Sequence, residues 1–322
     1  MIRVERAKVY FEVRKGFFKR DIVKAVDGVS FKIDKGKTLA LVGESGCGKT
    51  TLGKLTLRLV KPIEGRVFFD GLDITNLKEK ELKEFRRKAQ IIFQDPYSSL
   101  DPTQNVYQIV EEPLLIHKVG EKKERVYKAL EDVKLIPQED FLGKYPHQLS
   151  GGQRQRVSIA RALVLEPNYI VADEPVSMID ASSRAEILFL LKELQAKKNL
   201  TFLYITHDIA TAKYFADEIA VMYLGKIVEY GNPQEVIKEP KHPYTQALIE
   251  AIPEPEPKNK DRLRKIIGGE PPNPINVPKG CRFHPRCPYF MKDICDTKEP
   301  ELKRVEGKRE ISCYLYEFRR DY

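Results

Sequence analysis

The stretch TLALVGESGCGKTTLGKLTLRLV, residues 38–60, restricts the fold of this chain more than any other. Its apolar opening, Thr38 to Val42, is short and ends at glycine, as does a strand buried on both faces. The residues after Lys49 repeat with helical spacing. Between them, Gly43 to Thr50 fits the pattern of glycine, four residues, glycine, lysine and serine or threonine. A strand that turns through glycines into a helix lets successive N–H groups face a phosphate at the helix N-terminus. Lys49 adds a positive charge there, and the Thr50 hydroxyl suits magnesium. The candidate phosphate site is Gly43, Glu44, Ser45, Gly46, Cys47, Gly48, Lys49, Thr50 and Thr51. A thiol at a helix N-terminus raises the question of nucleophilic chemistry. No base lies near Cys47 in sequence, so it reads as a small space-filling residue.

The flanking sequence extends this start into an α/β fold. VERAKVYFEV and IVKAVDGVSFKID alternate and carry β-branched and aromatic residues, which predicts an N-terminal antiparallel β-subdomain. GRVFFDG reads as a strand leaving by an Asp-Gly turn, LKEKELKEFRRKA as an amphipathic helix and QIIF as a buried strand. From about 96 to 165 the chain has helical periods, prolines and no clear strand, so a helical subdomain is expected there, inserted in the core. YIVAD, RAEILFLLKELQAKK and LTFLYIT form a parallel β-α-β unit, and EIAVMYLGKIVEYG a hairpin. Seven prolines and a Gly-Gly between Pro253 and Pro278 predict extended backbone. The expected organisation is a domain over 1–252, a proline-rich linker over 253–278 and a small cysteine-rich extension over 279–322.

The formal net charge of +9 would suit a polyanion. With 32% charged residues of both signs and no long single-sign block, a heat-adapted surface accounts for it better, and no nucleic acid is expected. The opening MIRVERAKVYFEV lacks the plan of a signal peptide, and runs such as ILFLL are too short to span a membrane. A cytoplasmic chain is expected.

LSGGQ at 149–153, followed by RQRVSIARALVLEP, is far more specific than the glycine loop. With it the chain resembles the ATP-binding-cassette (ABC) ATPases, for which this pentapeptide is the signature. In that family two cassettes pair head to tail, and each ATP lies between one subunit's phosphate loop and the other's signature. The resemblance implies that Ser150, Gly151, Gly152 and Gln153, with Asp180 of SMID, act on the partner's ATP; the family more often has Ser-Ala-Leu-Asp there. Alone, the acid pair closing YIVADEP would read as a helix cap and a histidine after a strand as a satisfied core residue. Within the family pattern Asp173 holds magnesium, with Thr50 and Gln94, and Glu174 polarises the attacking water. Gln94 matches the glutamine that links the core to the helical subdomain, and His207 the switch histidine at the γ-phosphate. Phe11 is the expected adenine-stacking ring, with Tyr10 and the Phe17-Phe18 pair as competitors.

HPYTQALIEAIP, GGEPPNP and GCRFHPRCPYFMKDIC resemble the C-terminal extension of dipeptide and oligopeptide importer ATPases. That implies an ATP- and Mg2+-dependent ATPase at the cytoplasmic membrane face, paired with a second, similar ATPase. Two permeases and an extracytoplasmic solute-binding protein would complete the system. Oligosaccharide uptake is a second reading, and a non-transport cassette acting on nucleic acid a third.

Four of the five cysteines fall in the extension. A disulfide framework belongs to short secreted chains, which this is not. Cys281, Cys287, Cys295 and Cys313 are separated by five, seven and seventeen residues, without the tight pairs usual in structural zinc sites. Four thiolates and the Cys287-Pro288 step suit a [4Fe–4S] cluster, as does the subfamily resemblance, with zinc as the runner-up. Lys279, Arg282 and Arg286 are candidates to offset the cluster's negative charge.

Overall fold

The computed structural model describes residues 1–15, 19–251 and 272–317. Phe17, Phe18 and most of the proline-rich segment, 252–271, lie outside the described residues. Two sheets organise the rest. The first is antiparallel and four-stranded: β1 (Ile2–Lys15), β2 (Lys19–Ile33), β4 (Glu64–Phe69) and β5 (Leu72–Asp73), in the order β2-β1-β4-β5. It is the subdomain predicted by the alternating N-terminal pattern.

The second sheet contains β3 (Thr38–Val42), β6 (Ala89–Ile92), β7 (Tyr169–Asp173), β8 (Thr201–Thr206), β9 (Glu218–Tyr223), β10 (Lys226–Gly231), β11 (Lys303–Glu306) and β12 (Arg309–Ile311). Its order is β11-β12-β10-β9-β3-β8-β7-β6. The run from β9 to β6 is parallel, while β9-β10, β10-β12 and β11-β12 are antiparallel.

The continuous apolar runs follow from burial of both faces of the parallel strands. Leu39, Leu41, Val171, Leu203 and Ile205 pack toward the antiparallel sheet, while Ala40, Val42, Ile170, Ala172, Phe202 and Tyr204 pack on the opposite face. That opposite face is covered by the helix Ala181–Lys198 and by the helical insertion. The insertion contains the helices Pro96–Ser99, Val106–Ile116, Lys122–Asp132, Glu139–Leu142 and Gly151–Leu163 and no strand among its described residues. The helix after the glycine loop, Lys49–Thr56, stops short of the periodic pattern, because Arg58 turns left-handed at φ 53°.

The cysteine-rich extension joins the main sheet. The β11-β12 hairpin adds strands beside β10, with Glu229 opposite Ile311. Arg309 pairs in the interior with Glu229, which is fully buried.

Candidate functional site

The ends of β3, β6, β7 and β8 deliver the predicted residues to one edge of the sheet. Parallel strands in adjacent register end together, so the residues just past each strand become neighbours. Gly43 follows β3, Gln94 comes just after β6, Asp173 ends β7 and His207 follows β8. Glu174 lies just beyond β7 in a left-handed conformation, φ 45°, with its N–H donating to the Ile205 carbonyl at 2.9 Å. One Glu174 oxygen, Oε2, accepts from Gln94 Nε2 at 3.0 Å and lies 3.1 Å from His207 Nδ1. Three residues far apart in sequence thus meet at a single carboxylate oxygen.

The glycine loop wraps the start of the Lys49–Thr56 helix. A side chain on Gly48, at φ +108°, would collide with the Ala25 carbonyl, and one on Gly43 with the Met222 carbonyl. Lys49 donates to the carbonyls of Gly43 and Glu44 at 2.7 and 2.9 Å. Ser45 and Gly46 are exposed at the loop tip, while Gly48, Thr50 and Thr51 are half-buried. Cys47 is 4% exposed with its thiol pushed up by burial, so it fills space and is unsuited to act as a nucleophile.

Thr50 Oγ1 donates to Asp173 Oδ1 at 3.1 Å. Burial pushes the Asp173 carboxyl up, Glu174 adds to the push and the Thr50 hydrogen bond offsets part of it. Among the described residues Asp173 forms no ion pair, so a buried acid and a hydroxyl side by side fit a divalent cation.

Ser150 and Asp180 each open a helix. Ser150 Oγ accepts from Gln153 N–H at 3.2 Å, and Gln153 Oε1 accepts from Ser150 N–H at 3.0 Å, a reciprocal cap on the helix Gly151–Leu163. Asp180 accepts from Ser182 Oγ and Ser183 N–H, which hold its carboxyl down to about 2. A Cβ on Gly152 would sit 3.0 Å from Ser183 Oγ, so the two helix starts pack together. Among the described residues no hydrogen bond joins this pair to the glycine loop.

Of the two aromatic neighbours in β1, Tyr10 is engaged: its hydroxyl donates to Asp27 at 2.6 Å. Phe11 is 41% exposed. Beside Gln94, a groove of about 570 Å3 opens between β6 and the helical insertion, lined by Gln90, Phe93, Ser98, Glu112 and Pro113, among others.

Cys281, Cys287, Cys295 and Cys313 line one largely enclosed apolar pocket, with Phe283, Met291 and Tyr314 among its other walls. Burial, reinforced by the neighbouring thiols, pushes Cys281 up to about 11 and Cys313 to about 12. Among the described residues no three acidic, cysteine or histidine side chains converge closely enough to hold a single metal ion.

The arginines of this segment are engaged elsewhere, contrary to the expectation that they offset charge at the thiols. Arg282 pairs with Asp27 and donates to the Leu224 carbonyl. Arg286 forms a two-pronged pair with Glu44 of the glycine loop at 3.0 and 3.2 Å. Tyr244, within HPYTQALIEAIP, accepts from the Glu44 N–H at 2.9 Å. The contacts to Asp27 and Glu44, across about 200 residues or more, were not legible in the sequence, where each residue carried only local information.

The same organisation is found in known proteins. The family description "ABC transporter" matches residues 26–177, and "Oligopeptide/dipeptide transporter, C-terminal region" matches 228–295. The chain is 46% identical to the oligopeptide transport ATP-binding protein AppF of Bacillus subtilis (strain 168), over 98% of this chain and 97% of AppF. It is 45% identical to the dipeptide transport ATP-binding protein DppF of Haemophilus influenzae, over 95% and 94%. A dimeric ATP-binding cassette in a post-hydrolysis state bound to ADP and Pi superimposes with TM-score 0.65 at 31% identity, covering 72% of this chain and 99% of that one. Among the described residues no helix is long and apolar enough to cross a membrane. The chain is an ATPase of the ABC transporter family, in the branch that carries the oligopeptide/dipeptide transporter C-terminal region.

Proposed function

We propose that this ATPase energises uptake of dipeptides or oligopeptides, as one of two head-to-tail ATPase subunits at the cytoplasmic face of a pair of permeases served by a solute-binding protein. The observation that carries this reading is the C-terminal region: residues 228–295 match the peptide-transporter description, and they begin within β10 of the ATPase sheet. The relatives named for oligopeptide and dipeptide transport span nearly the whole chain and favour peptides over oligosaccharides. The groove beside Gln94 supports a permease contact, since a segment seated there would touch both the strand leading to Gln94 and the helical insertion. Reconstitution with the permeases tests the reading. Labelled peptide should accumulate with ATP, and uptake of oligosaccharide alone would overturn it.

In this reading Gly43 to Thr51 hold the ATP phosphates and Phe11 stacks on adenine. Asp173, Thr50 and Gln94 would hold Mg2+, which supplies positive charge at the phosphates. Glu174 polarises the attacking water, and His207 and Gln94 orient that carboxylate through its shared oxygen. Lys49 offsets charge as the γ-phosphoryl group transfers. Ser150, Gly151, Gly152, Gln153 and Asp180 complete the partner's site.

We further propose that the four cysteines, which share one pocket, hold a [4Fe–4S] cluster, with zinc as the runner-up. Zinc needs four ligands about 2.3 Å from one point, whereas a cubane spreads its thiolates around a wider core. Protein purified without oxygen should carry about four iron and four sulfide per chain. Stoichiometric zinc in colourless protein would overturn the assignment.

A further inference from the structure

Glu44 is an anomaly in a loop built to bind anions, because a bare carboxylate beside a triphosphate repels it. The fold answers this at two points. The Arg286 guanidinium, 8% exposed, grips both Glu44 oxygens, and the Tyr244 hydroxyl takes the Glu44 N–H. The Glu44 carbonyl meanwhile accepts from Lys49, so one residue links the loop's lysine to the C-terminal region. Tyr244 is fully buried, its ring 4.6 Å from that of Tyr223 and 5.5 Å from that of Phe283, so the support is rigid. The strand side is tied similarly: Arg282 pairs with Asp27, which accepts from Tyr10 beside Phe11, and Gly225 N–H donates to the Cys47 carbonyl at 2.8 Å.

We propose that Arg286 and Tyr244 are positioning residues for ATP, with the C-terminal region acting as a brace that neutralises Glu44 and fixes the phosphate loop. This rests on the assignment of Gly43 to Thr50 as the loop that binds ATP. The brace acts on affinity, because it sets the shape and charge of the loop before chemistry and, among the described residues, no hydrogen bond or ion pair joins Arg286 or Tyr244 to Glu174, Gln94 or His207.

The test is a double-mutant cycle on the full-length protein, read as the Kd for a fluorescent ATP analogue and as KM and kcat for ATP. Arg286→Met, which leaves Glu44 bare, should raise Kd and KM about tenfold with kcat at saturating ATP within about twofold. Glu44→Gln alone sets the reference, and added to Arg286→Met it should restore affinity to nearly that reference. Wild-type affinity in Arg286→Met, or a loss that Glu44→Gln does not relieve, overturns the proposal. Should Arg286→Met prove too unstable to assay, Arg286→Lys carries the test: a smaller loss relieved by Glu44→Gln is expected, and an unrelieved one counts against the brace. Lys49→Ala serves as the control. If it binds ATP normally, the loop assignment itself fails; if it abolishes binding while Arg286→Met does not, only the brace fails.

Discussion

At the residue scale the site depends on Glu174, whose carboxylate is held between Gln94 and His207 and is 14% exposed. Glu174→Gln keeps the shape of the side chain while removing the carboxylate proposed to polarise the attacking water. It is expected to bind ATP as the wild type does and to lose about 10² to 10⁴ in turnover, with the ATP-bound dimer accumulating. Steady-state hydrolysis and size-exclusion chromatography with ATP check this, and near-normal turnover would move the role elsewhere. Gln94, Asp173, Glu174 and His207 were picked out by the LSGGQ resemblance; periodicity gave only the apolar strands that they close or follow, and alone the acid pair reads as a helix cap and the histidine as a core residue. Arg286 and Tyr244 were not picked out, because their partner in the glycine loop is reached only once the chain has folded back on itself. Arg282 and Arg286 were misread for a related reason: in sequence they border cysteines, but their guanidinium groups extend to Asp27 and Glu44.

At the element scale, strand and helix types followed from period and composition, whereas the place of the C-terminal hairpin did not. RVEGKREI was placed only within the cysteine-rich extension, with no strand expected, and β11 is exposed throughout. Its partner strand is docked by a charge pair in the interior: Arg309 Nε and Nη2 lie 3.1 and 2.5 Å from Glu229 Oε1. Glu229 also accepts from the N–H groups of Lys241 and His242, so it organises the start of the helix Pro243–Glu250 that carries Tyr244. A buried acid that loses its partner keeps the desolvation cost without the attraction. Arg309→Met should therefore lower stability by about 3 to 5 kcal/mol, and Glu229→Gln on that background should recover part of it. Denaturant unfolding of the three variants measures both effects. A shift under about 1 kcal/mol for Arg309→Met would show that the pair does not anchor the hairpin.

At the scale of the whole molecule, the proposed reading gives the chain two half-sites on separate frameworks. The glycine loop, Gln94, Asp173, Glu174 and His207 gather at the strand ends, while Ser150 and Asp180 begin adjacent helices and are exposed. The layered α/β core was readable from the strand-loop-helix stretch and the β-α-β unit that follows it, since both faces of those strands must be covered. The proposed second subunit was not readable from periodicity; the proposal rests on the LSGGQ resemblance and on a similar cassette that is dimeric. The two half-sites make separable predictions. Ser150→Arg places a bulky charge at the start of the signature helix, and no hydrogen bond among the described residues connects Ser150 to the glycine loop. The variant chain should therefore bind ATP with wild-type affinity while turnover falls about tenfold or more at the composite site that its signature completes. Paired with an intact partner ATPase, it should spare the other site, which joins its own glycine loop to the partner's signature. Nucleotide binding by the isolated variant and single-turnover hydrolysis by the mixed pair separate the two effects, and weakened ATP binding by the variant alone would mean that Ser150 serves its own chain.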